Sequence, residues 1–171
     1  MQRLPAADGV PPLLALDADV ELASHKGLRR LPLRDFMASY RKTLIHADEM
    51  LTAVVVPRTI EGPSAFLKLG ARRYLVISIA MVAAVMEIDT DRRVKQARVA
   101  VGACSAVAQR LWELERDLTG AVAGPSLGAL VRPAHLEVLS PIDDLRGTAD
   151  YRRDATLTLV RRALDACVAE A

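Results

Sequence analysis

The segment from Phe66 to Met81 carries one lysine and a pair of arginines directly ahead of a long apolar run. Lys68 comes first, and Arg72-Arg73 stands at the entrance to the run. Cations in this position could orient an acidic partner, or they could form salt bridges with acids such as Glu61 or Asp89. Exposed salt bridges add little to stability. The arginine pair therefore favours a role in contact or specificity over a role in folding.

Other kinds of chemistry lack the residues that they need. The sequence has no phosphate-binding Walker loop, no GxSxG nucleophile elbow and no HExxH zinc motif, which argues against hydrolase and nucleotide-triphosphatase classes. The cysteines Cys104 and Cys167 are far apart, and His25, His46 and His135 are scattered. No metal or iron–sulfur site is expected within this chain, and both cysteines are expected to be small buried thiols.

Composition predicts a globular protein. The chain has 171 residues, 51% of them hydrophobic, and a formal net charge of +2. That charge is too small and too dispersed for a nucleic-acid-binding surface. The apolar run from Tyr74 to Met86 is shorter than the roughly 20 residues of a membrane helix, so it is predicted to be a buried strand. No export signal is visible, and a cytoplasmic location is expected.

The residue pattern of the first part of the chain predicts mainly β-strands. Asp19 to Ser24 alternates apolar and polar residues, and Gly27 is suited to the positive φ of a tight hairpin turn into the next strand. The other elements expected here are a short helix or turn after Pro11-Pro12, a second strand through Leu28, Leu31 and Leu33, one or two helical turns over 33–39, and a strand over 50–56.

A boundary is predicted at Thr59 to Pro63, where glycine and proline interrupt the pattern and the chain divides into residues 1–60 and 61–171. Beyond it, three antiparallel strands are predicted over 64–69, 75–88 and 94–102. Helices packed on these strands give an α+β layer.

Three helical segments are expected in the second part. Ser105 is predicted to cap a helix with an apolar stripe through Leu111, Leu114 and Leu118, ended by Gly120. The segment 126–139 is interrupted by Gly128 and Pro133. The last helix, 149–170, has its own apolar stripe formed by Leu157, Val160, Leu164, Cys167 and Val168.

Five blocks, in order, resemble one family. They are Pro5-Ala-Ala-Asp8 with Pro11-Pro12, Tyr40-Arg-Lys-Thr43, Asp48-Glu-Met-Leu51, Phe66 to Met81 with Arg98 to Ser105, and Asp144 to Arg153. The family is that of the FAD-binding medium subunits of molybdenum hydroxylases, of the carbon monoxide dehydrogenase and xanthine dehydrogenase type. Tyr74 to Ser78, following the arginine pair, resembles the carbon monoxide dehydrogenase-like branch more closely.

The resemblance implies a fold and a set of partners. The fold is α+β: the C-terminal part of an FAD-binding domain, followed by a small three-stranded antiparallel sheet packed with helices. Family members begin with two glycine-rich loops that hold the FAD pyrophosphate, and this sequence looks like the C-terminal portion without them. The implied partners are that N-terminal flavin-binding portion, a molybdenum-cofactor subunit and a two-iron two-sulfur subunit.

Three residues match family positions near the flavin. The resemblance implies that Asp8 lies on the flavin side of the second loop, that Leu51 packs at the isoalloxazine and that Lys68 reaches the cofactor region. An aspartate can accept from a ribityl hydroxyl, a leucine can cover a ring face, and a lysine favours a reduced, anionic flavin. By residue type alone, Leu51 is typical of a core and Asp8 of a turn.

Two further blocks have open interpretations. Tyr40 to Thr43 could contact cofactor or partner, or it could be a solvated basic turn. Tyr151 and Arg152-Arg153 could brace the last helix against the sheet, or they could meet a neighbouring subunit.

The sequence leads to one main hypothesis and one alternative. The main hypothesis is the C-terminal portion of a molybdenum hydroxylase FAD subunit, within an oxidoreductase complex, which relays electrons from an iron–sulfur partner via FAD to NAD, a quinone or oxygen. The alternative is a non-catalytic α+β module that binds sister subunits without flavin.

Overall fold

The computed structural model describes residues 7–58 and 60–170, so Pro5 of the first block and Thr59 at the predicted boundary lie outside the described residues. The helices in these ranges are α1 (Val10–Ala15), α2 (Leu33–Phe36), α3 (Trp112–Leu118) and α4 (Ala149–Ala169), with 3-10 turns at Leu127–Leu130 and Pro133–Leu136. The strands are β1 (Asp19–Ser24), β2 (Gly27–Pro32), β3 (Met37–Ser39), β4 (Lys42–Thr43), β5 (Met50–Val55), β6 (Ser64–Leu69), β7 (Ala80–Ile88), β8 (Val94–Gly102) and β9 (Gln109–Arg110).

The described strands form antiparallel sheets that pack with the helices, which confirms the α+β fold class. The orders are β2-β1-β5, β3-β4 and β6-β7-β8-β9. The hairpin predicted at Gly27 is present, with Gly27 opposite Ser24 and at φ +125°. The predicted three-stranded sheet gains a short fourth strand, β9, which pairs with the end of β8.

The adjacent strands β7 and β8 are buried on both faces. Val82 and Met86 of β7 point into a core that includes residues of α3 and α4. Ala83 and Val85, at the alternate positions, point into a second core built around α1, β1 and α2. Because both faces are covered, β7 is apolar from Ala80 to Met86, which explains the continuous run in the sequence.

The predicted strand 75–88 begins only at Ala80, so its first part was assigned wrongly. The ladder between β6 and β7 starts where Leu69 opposes Ala80, and no strand in the described part of the chain pairs with 75–79. They form a loop in which Tyr74 is 67% exposed and Leu75 is 93% exposed. Apolar composition alone does not separate a loop from a buried strand.

The helix predicted from Ser105 begins instead at Trp112, so Ser105 is not its N-cap. The Ser105 hydroxyl donates to the Cys104 carbonyl and accepts from the Ser140 amide. The segment between β8 and α3 forms a turn and the strand β9. Pairing with β8 satisfies the backbone amides and carbonyls of β9, which are therefore not available for helical hydrogen bonds. Gly120 does follow the helix end, at φ +83°, as predicted.

The last helix is confirmed. Thr148 caps α4 by accepting from the Tyr151 amide, and the buried face includes Val160, Leu164 and Cys167. The interrupted segment 126–139 contains two 3-10 turns in place of a regular helix. No helix among the described residues is long and apolar enough to cross a membrane.

Both cysteines are buried free thiols, as predicted. Burial raises the pKa of the Cys104 thiol, and it raises the pKa of Cys167 to about 11. Both therefore stay protonated at neutral pH, which makes them poor nucleophiles.

A buried ionic cluster joins α3 to the sheet and to α1. Arg110 donates through Nε and Nη2 to the two carboxylate oxygens of Glu115, at 2.5 and 2.6 Å. The same carboxylate accepts from the Val99 amide at 2.8 Å, and Arg110 Nη1 donates to the Leu14 carbonyl and to Asp17. The cluster satisfies polar groups of three elements at once.

We predict that Glu115→Gln lowers the free energy of unfolding by about 2 kcal/mol, because it removes the bidentate carboxylate partner of the buried Arg110 and leaves the half-exposed Asp17 as its counter-ion. Glu113→Gln on the exposed face of the same helix is the matched control, with a change within about 0.5 kcal/mol. Urea unfolding of both variants measures the difference. Equal stabilities would contradict a structural role for the cluster.

Candidate functional site

Two of the residues predicted at the site form an ion pair, although 60 positions separate them in sequence. Lys68 Nζ donates to Asp8 Oδ2 at 2.5 Å and to the Val76 carbonyl at 2.8 Å. The Ser78 hydroxyl donates to Asp8 Oδ1 at 2.7 Å. The Asp8 and Lys68 side chains are 40% and 29% exposed, so a ligand can reach both. We call Asp8, Lys68 and Ser78 the carboxylate cluster.

The carboxylate cluster is positioned by packing between the two parts of the chain. Lys68 lies near the end of β6, opposite Met81 of β7. Asp8 lies just before α1, which packs on β7 and β8. The contact is close at Gly102, where an added Cβ would lie 2.7 Å from a Pro11 ring carbon. The position of Asp8 therefore depends on how α1 packs against the sheet.

Charge and hydrogen bonding keep Asp8 ionised. Burial acts to raise the pKa of its carboxyl, but hydrogen bonds from Lys68 and Ser78, together with the Lys68 charge, outweigh burial and lower the pKa below 3.8. The cluster thus presents a carboxylate and an ammonium side by side at neutral pH. A carboxylate has more acceptor positions than these two donors use, so it can still accept from a ligand.

The loop between β6 and β7 is held in place by its own hydrogen bonds. Arg72 Nη2 donates to the Leu75 carbonyl at 2.6 Å, and Lys68 holds the Val76 carbonyl. Tyr74, Leu75 and Ile77 point to solvent, with Arg73 5.2 Å from the Tyr74 ring centre. The loop therefore displays apolar side chains next to the cluster.

The predicted salt bridges of the arginine pair are not found among the described residues. The Asp89 carboxylate instead accepts from the backbone amides of Asp91 and Arg93. The alternative interpretation, that Arg72-Arg73 serves in contact, remains open.

An apolar cleft of about 150 Å³ lies beside the carboxylate cluster. Its walls include Ala7, which is the neighbour of Asp8, and Met81, which is the strand partner of Lys68. Arg41 and Lys42 of the β3–β4 hairpin line its mouth and are exposed. The block Tyr40 to Thr43 is thus a basic turn at the edge of this cleft.

Leu51, the third predicted residue, lies apart from the ion pair in the sheet order. It is on β5, an outer strand of the sheet β2-β1-β5, opposite Leu22, and it is 41% exposed. Its exposure differs from that of a core leucine and leaves it available for contact. The structure brings Asp8 and Lys68 together and places Leu51 on another sheet.

Ser78 is the cluster residue that the sequence did not identify. It is a buried hydroxyl within an otherwise apolar stretch. A single polar residue inside such a stretch is a signal, because a buried hydroxyl needs a hydrogen-bond partner. The identity of that partner, Asp8, depends on a contact across 70 residues.

Arg152 braces α4 against the sheet, which is one of the two interpretations given for Tyr151 and Arg152-Arg153. Its side chain is fully buried and bonds to Asp144 Oδ1 at 2.7 Å and to the carbonyls of Ile79 and Ala103. Burial acts to raise the pKa of Asp144, but hydrogen bonds from Arg146 and Arg152 and the Arg152 charge outweigh it and lower the pKa to about 2. Asp144 is therefore a carboxylate at neutral pH.

An exposed cation–carboxylate pair beside an apolar cleft is typical of a protein surface that binds a small molecule. Comparison with known families gives the class. Residues 65–167 match the CO dehydrogenase flavoprotein C-terminal domain, and residues 1–59 match the FAD binding domain in molybdopterin dehydrogenase.

Individual relatives agree with this result. The alpha subunit of the 6-hydroxypseudooxynicotine dehydrogenase complex of Paenarthrobacter nicotinovorans is 30% identical over 89% of this chain and 51% of its own length. The nicotine 6-hydroxylase medium subunit of the same organism is 32% identical, over 89% of this chain and 53% of its own. A crystal structure of Cu,Mo-CO dehydrogenase in a cyanide-inactivated form has a TM-score of 0.88 at 25% identity, over 98% of this chain and 58% of that chain.

The chain belongs to the CO dehydrogenase flavoprotein family, the FAD-binding medium subunits of molybdenum hydroxylases. It spans about half the length of the curated relatives that it matches. The site is chemically compatible with a flavin, because it offers a cation, an acceptor and an apolar cleft to a ring system with polar edges. Within the ranges that the structure describes, no group of three or more His, Cys, Asp or Glu side chains could hold a metal ion.

We predict that Lys68→Met raises the pKa of Asp8 by removing its hydrogen-bond donor and its nearest cation. The control is Lys95→Met, because Lys95 forms an equally short bond, 2.5 Å, with Glu87 at the other end of the same sheet. Carboxyl carbon NMR shifts, followed through a pH titration, measure both variants. An unchanged Asp8 titration in Lys68→Met would contradict the ion pair.

Proposed function

We propose that this chain is part of the FAD subunit of a molybdenum hydroxylase and that Asp8, Lys68 and Leu51 contact the flavin. The observation that supports the proposal is the ion pair between Asp8 and Lys68. One residue comes from the segment matching the FAD-binding domain and the other from the segment matching the C-terminal domain. A flavin site at that junction would need residues from both segments, and the ion pair supplies one from each. We also propose 1–60 and 61–171 as the domain limits.

The chain's residues would perform separate tasks. Lys68 would supply positive charge, which favours a ring that becomes anionic when reduced. Asp8 would accept from a hydroxyl of the ribityl chain. Leu51 would cover a ring face and exclude water from it, for which its partial exposure makes it available. Flavin, when bound, supplies the electron-transfer chemistry.

The proposed place of the subunit is within a complex. It would take electrons from a two-iron two-sulfur partner and pass them to NAD, a quinone or oxygen, while a molybdenum-cofactor subunit oxidises the substrate. A cytoplasmic location is part of the same proposal.

Flavin retention tests the proposal directly. The purified chain is incubated with FAD, freed of unbound cofactor and examined by visible absorption. We expect the wild-type chain to retain flavin and Asp8→Asn, Lys68→Met and Leu51→Ala each to weaken binding about tenfold, since the loss of one good contact is on the order of 1.4 kcal/mol.

The controls keep residue type and exposure matched. Lys95→Met removes a lysine from a short ion pair away from the site, and Leu28→Ala removes a leucine that is 69% exposed on β2, the opposite outer strand of the sheet that carries Leu51. Both are expected to bind FAD as the wild type does. Controls that lose flavin as the site variants do would contradict the proposed contacts. A wild-type chain that stays colourless would contradict flavin binding by this chain alone and favour the second candidate function.

A second candidate function is a subunit-interaction module that does not bind flavin. The observation in its favour is the hydrogen-bonded loop that exposes Tyr74, Leu75 and Ile77 beside Arg72-Arg73. Exposed apolar side chains flanked by arginines are typical of protein contact sites.

For this second candidate, we predict that Leu75→Ser with Ile77→Ser prevents co-purification with the molybdenum-cofactor and iron–sulfur subunits on co-expression. The reason is the loss of apolar contact area at the loop. The control pair is Val54→Ser with Leu28→Ser, which are exposed on the other sheet. Normal assembly of the loop variant would exclude the loop as the contact.

A further inference from the structure

Arg152 occupies an unusual environment for a charged residue. It is the largest of the fully buried side chains in the described part of the molecule. Burying a cation is costly unless it is paired and hydrogen-bonded. Its Nη1 and Nη2 atoms have three acceptors, whereas Nε is buried without a partner among the described residues. The side chain is thus oriented so that Nη1 and Nη2 reach those acceptors, and within the described ranges this orientation leaves the Nε hydrogen-bond donor unsatisfied.

Two of the acceptors are carbonyls at the ends of neighbouring strands. Ile79 comes directly before β7, and Ala103 comes directly after β8. Ala103 has φ +63°, a left-handed conformation that costs energy for a residue with a side chain. One guanidinium therefore holds both segments at the points where they leave the regular ladder. The strand hydrogen bonds of β7 and β8 do not extend to these two carbonyls.

These two carbonyls belong to the backbone that carries the site. Ile79 follows Ser78, whose hydroxyl holds Asp8, and the Ile79 amide donates to the Leu69 carbonyl next to Lys68. Ala103 and Gly102 form part of the wall of the apolar cleft. Arg152 thus bonds to the backbone next to the carboxylate cluster, at Ile79, and to the backbone of the cleft wall, at Ala103.

Asp144 holds the guanidinium in this orientation. Its side chain is 1% exposed, and it accepts from Arg152 Nη2, from the Arg146 amide and from the Arg146 side chain. Arg146 therefore fixes Asp144, and Asp144 fixes Arg152. The arrangement forms a chain of contacts from residues 144–152 to the site.

We infer that Arg152 is the positioning residue of the carboxylate cluster, acting through the Ile79 carbonyl on Ser78 and through Ser78 on Asp8. A merely structural role for Arg152 predicts a loss of stability that is shared by the whole protein. The positioning role predicts a local change at Asp8 and at the Ile79 amide. The positioning itself does not require flavin, whereas its effect on flavin binding rests on the proposed function.

The test replaces Arg152 and measures the pKa of Asp8 and the hydrogen exchange of the Ile79 amide. We expect Arg152→Gln to raise the pKa of Asp8 toward 3.8 and to speed hydrogen exchange of the Ile79 amide by about tenfold, because the Ile79 peptide loses a fixed partner. Arg153→Gln is the matched control, since Arg153 is the exposed neighbour on the same helix. Val160→Ala, in the core on α4, controls for general destabilisation. NMR titration and amide exchange measure all variants.

A double-mutant cycle tests the route through Ser78. Arg152→Lys keeps the charge but cannot reach three acceptors in one plane, so it also serves if Arg152→Gln does not fold. Arg152→Lys is expected to raise the pKa of Asp8 in the wild-type background and to leave it unchanged in a Ser78→Ala background. Equal shifts in both backgrounds would overturn the proposed route.

Three outcomes separate this inference from the proposed function. If Arg152→Gln and Val160→Ala change the Asp8 pKa and the exchange rate of the Ile79 amide to the same extent, Arg152 has only a structural role and the inference fails. If the Asp8 pKa shifts but FAD retention equals that of the wild type, the positioning role stands and the link to flavin fails. A wild-type chain without flavin contradicts flavin binding by this chain alone and leaves the NMR test of Arg152 valid.

Discussion

The burial of β7 and β8 on both faces is the constraint on which the rest of the structure depends. Successive side chains of a strand point to opposite faces, so one pair of strands has to supply two cores. One core is completed by α3 and α4, and the other by α1, β1 and α2. Segments far apart in sequence are thereby held at fixed positions on one two-stranded unit. Its buried faces are mostly apolar, with Arg98 of β8 as a buried cation, and the polar groups of the candidate site lie near its end.

The candidate site follows from this arrangement. Lys68 is carried by β6 beside the two-stranded unit, and Asp8 is brought to it by α1, which packs against one face. The ion pair then joins the parts of the chain that match two different family models. Because the pair is partly exposed and the adjacent cleft is apolar, the junction offers both charge and apolar surface to a ligand.

Buried ions stabilise the places where the regular sheet ends. Arg110 with Glu115 satisfies backbone groups between α1, β8 and α3, and Arg152 with Asp144 satisfies those at the ends of β7 and β8. A buried ion pair often contributes less to stability than apolar residues of similar volume would, because of the cost of removing charges from water. These pairs contribute hydrogen bonds that apolar residues lack, and those bonds fix irregular backbone.

The sequence by itself determined the regular elements with a local signal: the strand and hairpin around Gly27, the helix α4 with its apolar stripe, the α+β class and, through its motifs, the family. It did not determine that 74–79 is a loop that exposes Tyr74, Leu75 and Ile77, or that the chain after Ser105 forms β9, because apolar composition fits loop, strand and helix alike. The sequence predicted Asp8 and Lys68 as separate site residues. Only the tertiary structure decided that they pair, that Ser78 joins them and that Leu51 lies on another sheet, since those contacts depend on long-range packing.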